Sequence, residues 1–287
     1  MSPQVSSSGK AVTLINLKGG VAKTFTAWMI AGVLEERSRR VLLIDCDAQG
    51  NLTGSFLTGL GDDPGVEAFF DPSVEPDVAN LIRRTQFAHI DIIPASARLS
   101  RFDLPDRAQW EKADLQRALT DPLAQLRKHY ELILIDCPPR LSVVSYAALC
   151  ASDFALVPLE AADYGAQGIA QVNAAIAEVR RRHNSGLQLL GYLVSRYKQR
   201  RAYQQTYLDR MRAHFGQDVF PEPIPDLAYY EQSVCDRTPI TLHRPRSKAA
   251  DIARRLVDEI DRRIQTLAGR RRQRRRQSIP ARGVLAV

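Results

Sequence analysis

The sequence predicts an α/β fold in three layers, a mostly parallel central sheet flanked by helices. Two observations predict it. Short apolar runs rich in β-branched residues alternate along the chain with longer segments of helical spacing, the pattern that right-handed β-α-β crossovers produce. The strongest runs, Val41 to Ile44 and Leu132 to Ile135, are continuous rather than alternating, as strands covered on both faces must be.

Taken in order, Ala11 to Leu17 (AVTLINL) reads as a buried strand entering a glycine turn. Thr24 to Glu36 is apolar nearly all round and then becomes charged, as a helix lying against a sheet does. Arg40 to Asp47 is a second strand, and residues 60–86 are the least regular, suited to surface loops and short helices. Further strands are expected at Ile90–Pro94, Tyr130–Asp136, Phe154–Leu159 and Leu187–Val194. Helices are expected at Trp110–His129, Ser142–Cys150, Ala166–His183, Arg201–Phe215 and Lys248–Leu267, with a proline-set loop at Pro221–Pro225. The organisation is a disordered polar segment (1–10), one domain (11–268) and a basic, disordered tail (269–287).

The 287 residues, 45% of them apolar, suit one large domain or two small ones. No apolar run reaches the ~18 residues of a membrane span. The Ser-rich N-terminus lacks the apolar core of a secretory signal, so a cytoplasmic protein is expected. Cys46, Cys137, Cys150 and Cys235 form no CxxC pair and read as reduced thiols, mostly in the core. The net charge of +8 is uneven: from Arg244 onward 14 Lys and Arg face 4 Asp and Glu, a net of +10 that leaves −2 for residues 1–243. Only the tail therefore invites a nucleic-acid reading from charge alone.

The chemistry gathers where the first strand meets the first helix. Lys18-Gly19-Gly20-Val21-Ala22-Lys23-Thr24 is a glycine-rich loop between the two, the context of a phosphate-binding P-loop. Its backbone N–H groups and the helix N-terminus favour anions. Lys23 would reach the β- and γ-phosphates and the Thr24 hydroxyl would hold Mg²⁺, with ATP as ligand and Phe25 closing the segment. These residues specify the P-loop NTPase version of the three-layer fold. The ordinary motif GxxxxGK[ST] is broken at Leu17 and Ala22, and a Cβ at Ala22 strains a backbone that prefers positive φ. Asp45 and Asp47 lie two apart at a strand end, which puts both on one face of an extended chain. Asp136 ends the strand LILID and suits an acid that holds Mg²⁺.

The form K-G-G-x-x-K-T resembles the deviant Walker A motif of the ParA/MinD superfamily. From about Val12 to Leu267 the chain resembles its ParA/Soj-type partition ATPases, in VLLIDCDAQGNLTG, YELILIDCPPRLS, LVPLEAADYGAQGIAQV and PITLHRPRSKAADIARRL. The resemblance implies ATP hydrolysis to ADP and phosphate and an ATP-driven sandwich homodimer in which Lys18 reaches the partner's nucleotide. It implies that Asp47 stands beside the attacking water, with Asp45 nearer the Mg²⁺ shell and Asp136 as the Walker B acid. Lys18, Lys23 and Asp47 are then the catalytic set.

It further implies nonspecific DNA binding, a nucleoid-associated location, and release stimulated by a ParB-like or cargo-adaptor protein. Arg196, Lys198, Arg200 and Arg201 are candidate DNA contacts, with Arg270, Arg271, Arg272, Arg274, Arg275 and Arg276 as a flexible arm. The segment after Ile224-Pro225 lacks the basic residues relatives carry there, which weakens a DNA surface on the folded body. The alternative is a MinD-like ATPase on a membrane, using the stripe Ile252, Leu256, Val257, Ile260, Ile264 and Leu267; packing of that stripe on the domain is the favoured reading. A metabolic enzyme on the same loop ranks last. Cargo and stimulating partner are not legible.

Overall fold

The computed structural model describes residues 8–59, 63–103, 113–161 and 165–277. Among the described residues seven strands form one sheet: β1 (Lys10–Leu14), β2 (Val41–Asp45), β3 (Arg83–Arg84), β4 (Ile90–Ile93), β5 (Leu132–Asp136), β6 (Phe154–Glu160) and β7 (Gln188–Ser195). Their spatial order is β3-β4-β2-β5-β1-β6-β7, parallel throughout except for the antiparallel edge pair β3–β4.

The α-helices among the described residues are α1 (Lys23–Glu36), α2 (Asn51–Phe56), α3 (Val78–Leu81), α4 (Ala113–Gln116), α5 (Thr120–Leu126), α6 (Val143–Ala151), α7 (Gly165–Arg182), α8 (Ala202–Phe215), α9 (Ala228–Cys235), α10 (Ile240–His243) and α11 (Lys248–Gln277). The continuous apolar strands are explained by the layering. In β2, Leu42 and Ile44 enter the core beneath α5, α6 and α7, while Val41 and Leu43 enter the core beneath α1 and α11. A period of two with both faces covered leaves no polar side.

Because the strands are parallel, their C-terminal ends share one edge, where ligands of open α/β sheets bind. Asp45 and Asp136 are register partners across β2 and β5, so both acids reach that edge together.

Three regions differ from the sequence expectation. The expected helix 110–129 is two short helices, α4 and α5, broken at residues 117–119; its first residues, 110–112, lie outside the described residues. Helices α9 and α10 lie between Pro225 and Lys248, where the sequence pattern assigns no element. Their apolar residues are few, and burial of Tyr230 and Ile240 against α1 depends on chain arriving from far away.

The third difference is α11. Where the sequence predicts a disordered tail from residue 269, the helix runs on to Gln277. Arginine and glutamine are good helix formers, and Gly269 costs only about 1 kcal/mol, which a helix already anchored can bear. The remaining tail, 278–287, and the N-terminal residues 1–7 lie outside the described residues.

The anchor is partly apolar and partly a buried cation. Ile252, Leu256, Val257 and Ile260 are buried in the α1 core, and Ile264 and Leu267 pack against it. Arg263, only 8% exposed, donates to the carbonyls of Leu190, Gln217, Asp218 and Val219 at 2.8–3.2 Å and lies over the Phe220 ring. Gly191 makes room for it, since a Cβ there would come within 2.4 Å of an Arg263 nitrogen. The stripe that a membrane helix would need is thus spent on the core. Among the described residues no helix is long and apolar enough to cross a membrane.

Candidate functional site

Beyond β1, the chain is held by side chains that satisfy its turning backbone. Asn16 donates its amide to the Pro158 carbonyl (2.7 Å) and accepts the Lys18 N–H (2.9 Å). The Ser195 hydroxyl lies 2.8 Å from the Val21 carbonyl and 3.0 Å from that of Leu159, which ties the loop to the ends of β6 and β7. Two residues of the loop are left-handed, Gly20 at φ 76° and Ala22 at φ 64°. Glycine enters that region freely, whereas alanine meets its own Cβ.

Ala22 is also the N-cap of α1. It offers no side-chain cap, and the first turn carries no acid. The N–H groups there lack intrahelical partners and face an anion site unopposed. Because glycine suits both the left-handed cap and the N-cap position, Ala22→Gly should stabilise the protein by about 0.5–1 kcal/mol. Urea unfolding monitored by circular dichroism measures this, and a lower midpoint for the variant would contradict it.

Two lysines of the loop point different ways. Lys23 is buried at 7% exposure, and its ammonium donates to the Lys18 carbonyl at 3.2 Å. Burial holds it below the ordinary lysine range, with the Asp136 carboxylate opposing. Lys18 is half exposed and lies 3.5 Å from Glu160 at the end of β6.

The acids also part company. Asp136 accepts the Thr24 hydroxyl at 2.6 Å through one oxygen; its other oxygen is buried without a partner. Burial first, then the neighbouring Asp45 charge, pushes Asp136 up to about 8. An orphaned carboxylate oxygen beside a threonine hydroxyl is a donor set that fits a hard cation such as Mg²⁺.

Asp45 corrects a sequence expectation. Strand β2 stops at Asp45 rather than continuing to Asp47, so the two acids do not share a face. Asp45 is fully buried, and its oxygens accept from the Thr53 N–H (2.8 Å), the Thr53 hydroxyl (2.7 Å) and the Asp47 N–H (3.1 Å). Both oxygens are occupied by protein donors, which makes Asp45 the anchor of the 47–53 turn. Its burial pushes it up to about 6. Asp47, released from the strand, lines the cavity and accepts the Gln49 N–H at 3.1 Å.

That cavity, about 720 Å³, begins at Gly19 to Phe25 and Asp47 and continues between α1 and α9. Its far wall is Ile224, Pro225, Asp226, Leu227 and Tyr230, joined by Arg196. Sequence reasoning recognised the loop and missed this wall. The clue available was the proline-set segment itself, which runs beside β7: Tyr197 N–H donates to the Ile224 carbonyl and Asp226 N–H to the Tyr197 carbonyl, each at 3.0 Å.

The basic candidates are dispersed. Arg196 joins the cavity instead of an outer patch. Lys198 is paired with Asp226 at 2.9 Å. Arg200 and Arg201 are exposed, the latter donating to the Tyr203 hydroxyl at 2.9 Å. Arg270, Arg271, Arg272, Arg274, Arg275 and Arg276 occupy the last turns of α11. Cys46, Cys137 and Cys150 are buried free thiols and Cys235 an exposed one, as the spacing implies. Among the described residues no group of three or more His, Cys, Asp or Glu is placed to hold a metal.

The sequence pattern of the AAA domain matches residues 9–189. The chain is 35% identical over 256 residues to the chromosome-partitioning ATPase Soj of Thermus thermophilus, covering 89% of this chain and 97% of that one. The chain belongs to the ParA/Soj family of P-loop ATPases. It is also 30% identical over 258 residues to the sporulation initiation inhibitor protein Soj of Bacillus subtilis, with 88% and 98% of the two chains covered. Among solved structures, cobyrinic acid a,c-diamide synthase from Mycobacterium smegmatis, with bound ATP analogue and magnesium, matches at a TM-score of 0.73 and 30% identity, over 87% of this chain and 93% of that one. As a ParA/Soj-family member the chain is an ATP hydrolase, and its three-layer P-loop fold is that of its relatives.

Proposed function

We propose that this ParA/Soj-family ATPase positions a cargo, and that ATP acts on it as a dimerisation switch. One observation carries the reading: the two loop lysines diverge, Lys23 buried inside the nucleotide cavity and Lys18 outside it at the surface. A cation at the front of the loop that does not line its own cavity is available to a second copy. In a sandwich homodimer it would neutralise charge that develops on the partner's phosphates during transfer.

Within one subunit the division of labour follows the geometry. Lys23 and the open N-terminus of α1 hold the phosphates of ATP. Thr24 and Asp136 hold Mg²⁺, which when bound neutralises phosphate charge. Asp47, set by the turn that Asp45 anchors, orients the attacking water. Because Asp136 must lose its proton to bind the cation, Mg²⁺-dependent nucleotide affinity should rise from pH 7 to about 8 and flatten above it. Isothermal titration at fixed Mg²⁺ measures this; the Asp136→Asn variant should lose the dependence, and a flat wild-type profile would contradict the assignment.

The output surface is nonspecific DNA, which the exposed Arg200 and Arg201 and the arginines of α11 would grip through phosphates. A ParB-like or cargo-adaptor protein stimulates hydrolysis and release, near the nucleoid. Packing of the Ile252 to Leu267 stripe into the core argues against the membrane alternative. The chromosome-partitioning ATPase among the relatives supports positioning over small-molecule chemistry.

The test is DNA retention at several salt concentrations, for the full chain and for a chain ending at Gly269, with ATP and with ADP. ATP-dependent, salt-sensitive retention is expected. A protein that ignores DNA at low salt with ATP present would overturn the proposal.

A further inference from the structure

We infer that Thr53 is a positioning residue for hydrolysis, its hydroxyl fixing Asp47 by way of the Asp45 carboxylate; this rests on the reading of Asp47 above. Thr53 lies in α2 and is 3% exposed. Among the described residues Asp47, Gln49, Asn51 and Ser55 line the nucleotide cavity and Thr53 does not. Any part it takes in the reaction is therefore taken through its neighbours.

The Thr53 hydroxyl lies 3.0 Å from the Ala95 nitrogen and 2.7 Å from one oxygen of Asp45. Both bonds have a fixed direction. The Ala95 N–H can only donate, which leaves the single hydroxyl proton for Asp45. The Thr53 N–H reaches the same carboxylate oxygen at 2.8 Å. The other oxygen accepts the Asp47 N–H at 3.1 Å, and the Asp47 carbonyl accepts the Gly50 N–H at 2.8 Å. A directed chain of hydrogen bonds thus runs from the end of β4 to both sides of the Asp47 peptide.

The local structure shows why the hydroxyl is needed. Gly50, left-handed at φ 63°, is the N-cap of α2 and offers no side chain. Asp45 takes over the cap by accepting the N–H of Thr53, the third residue of the helix. That single contact would leave the carboxylate plane free to turn. The hydroxyl supplies a second contact whose own position is set by Ala95, so Asp45 presents its remaining oxygen to Asp47 in one orientation. Ala95 follows β4, which pairs with β2 from Val41↔Ile90 to Ile44↔Ile93. The turn that carries Asp47 is in this way referred to the sheet, and a group that orients an attacking water must be held to a fraction of an ångström.

The experiment measures ATP affinity, KM, maximal turnover and melting temperature for full-length wild type, Thr53→Val, Thr53→Ser, Asp47→Ala and the Thr53→Val, Asp47→Ala double variant. Turnover is assayed well below each melting point. Valine keeps the shape and removes the hydroxyl, which leaves the buried Ala95 N–H unpaired; serine keeps the hydroxyl. Thr53→Val should lose roughly ten- to hundredfold in turnover, the cost of about 1 Å of misplacement, with KM and ATP affinity within about threefold of wild type. Thr53→Ser should restore turnover to within about threefold. Added to Asp47→Ala, Thr53→Val should cost less than about twofold more, because the group it positions is already gone. Wild-type turnover in Thr53→Val would overturn the inference, and so would a serine variant as slow as the valine one. Fully additive losses in the double variant would show that Thr53 does not act through Asp47, which also overturns it. If Asp47→Ala alone turned over normally, the reading of Asp47 would fall instead, which keeps the two failures distinguishable.

Discussion

Replacing Lys23 by alanine should abolish ATP binding at micromolar protein. The ammonium is positioned where the phosphates must sit, held by the Lys18 carbonyl and balanced by Asp136. In the empty protein it is a buried, desolvated cation, and a nucleotide polyphosphate is the partner that compensates it. Losing two charge-assisted hydrogen bonds to phosphate corresponds to roughly 10²–10⁴ in affinity. The same argument supplies a control. Lys23→Met keeps the apolar stem and removes a buried charge, so the nucleotide-free variant should melt no lower than wild type while binding as poorly as the alanine variant. Calorimetric melting and ATP titration together check both halves. ATP binding in either variant near the wild-type level would refute the phosphate assignment.

The second large effect is expected at Asp47. Asp47→Ala should bind ATP within about threefold of wild type and lose turnover by about 10²–10⁴-fold, the range for a positioned proton-handling or water-orienting group. The side chain has one local duty besides, accepting the Gln49 N–H, so a collapsed turn could imitate a catalytic loss. Asp47→Asn separates the two, because the amide oxygen keeps that hydrogen bond and removes the charge. Loss of turnover in both variants, with affinity kept, assigns the carboxylate to the hydrolytic step. Normal phosphate release from Asp47→Ala would remove it from the mechanism.

The two acids of the VLLIDCD segment illustrate what a sequence can convey. Extended geometry puts Asp45 and Asp47 on one face, and that inference is sound only while the strand lasts. It ends at Asp45, because the Thr53 N–H and hydroxyl converge on the Asp45 carboxylate from eight residues downstream. Nothing in the local pattern announces that contact. Arg196 is a similar case. Its cluster with Lys198, Arg200 and Arg201 looks like one basic patch, yet a left-handed backbone turns one member toward the nucleotide cavity and an ion pair engages another. A charge count along the chain carries no information about which side of a strand end each charge faces.

The far wall of the cavity was illegible for a related reason. Ile224 to Leu227 has no chemical signature, and it acquires a role only by running beside the end of β7. The arginine-rich end of α11 shows the opposite bias. Composition suggests an unstructured tail, whereas a helix already anchored by Arg263 and its apolar stripe propagates through good helix formers at little cost.

By itself, the sequence determined the layered α/β architecture, the phosphate loop with its two lysines, and the irregular Ala22. These are local matters: strand and helix periods, glycine conformations, and residue types whose chemistry acts within a few positions. The tertiary structure alone decided which acid is left with an unpaired oxygen, which arginine lines the cavity, and that the C-terminal stripe belongs to the core. Each depends on desolvation and on partners brought from distant segments, and burial of this kind has no counterpart in the order of residues along a chain.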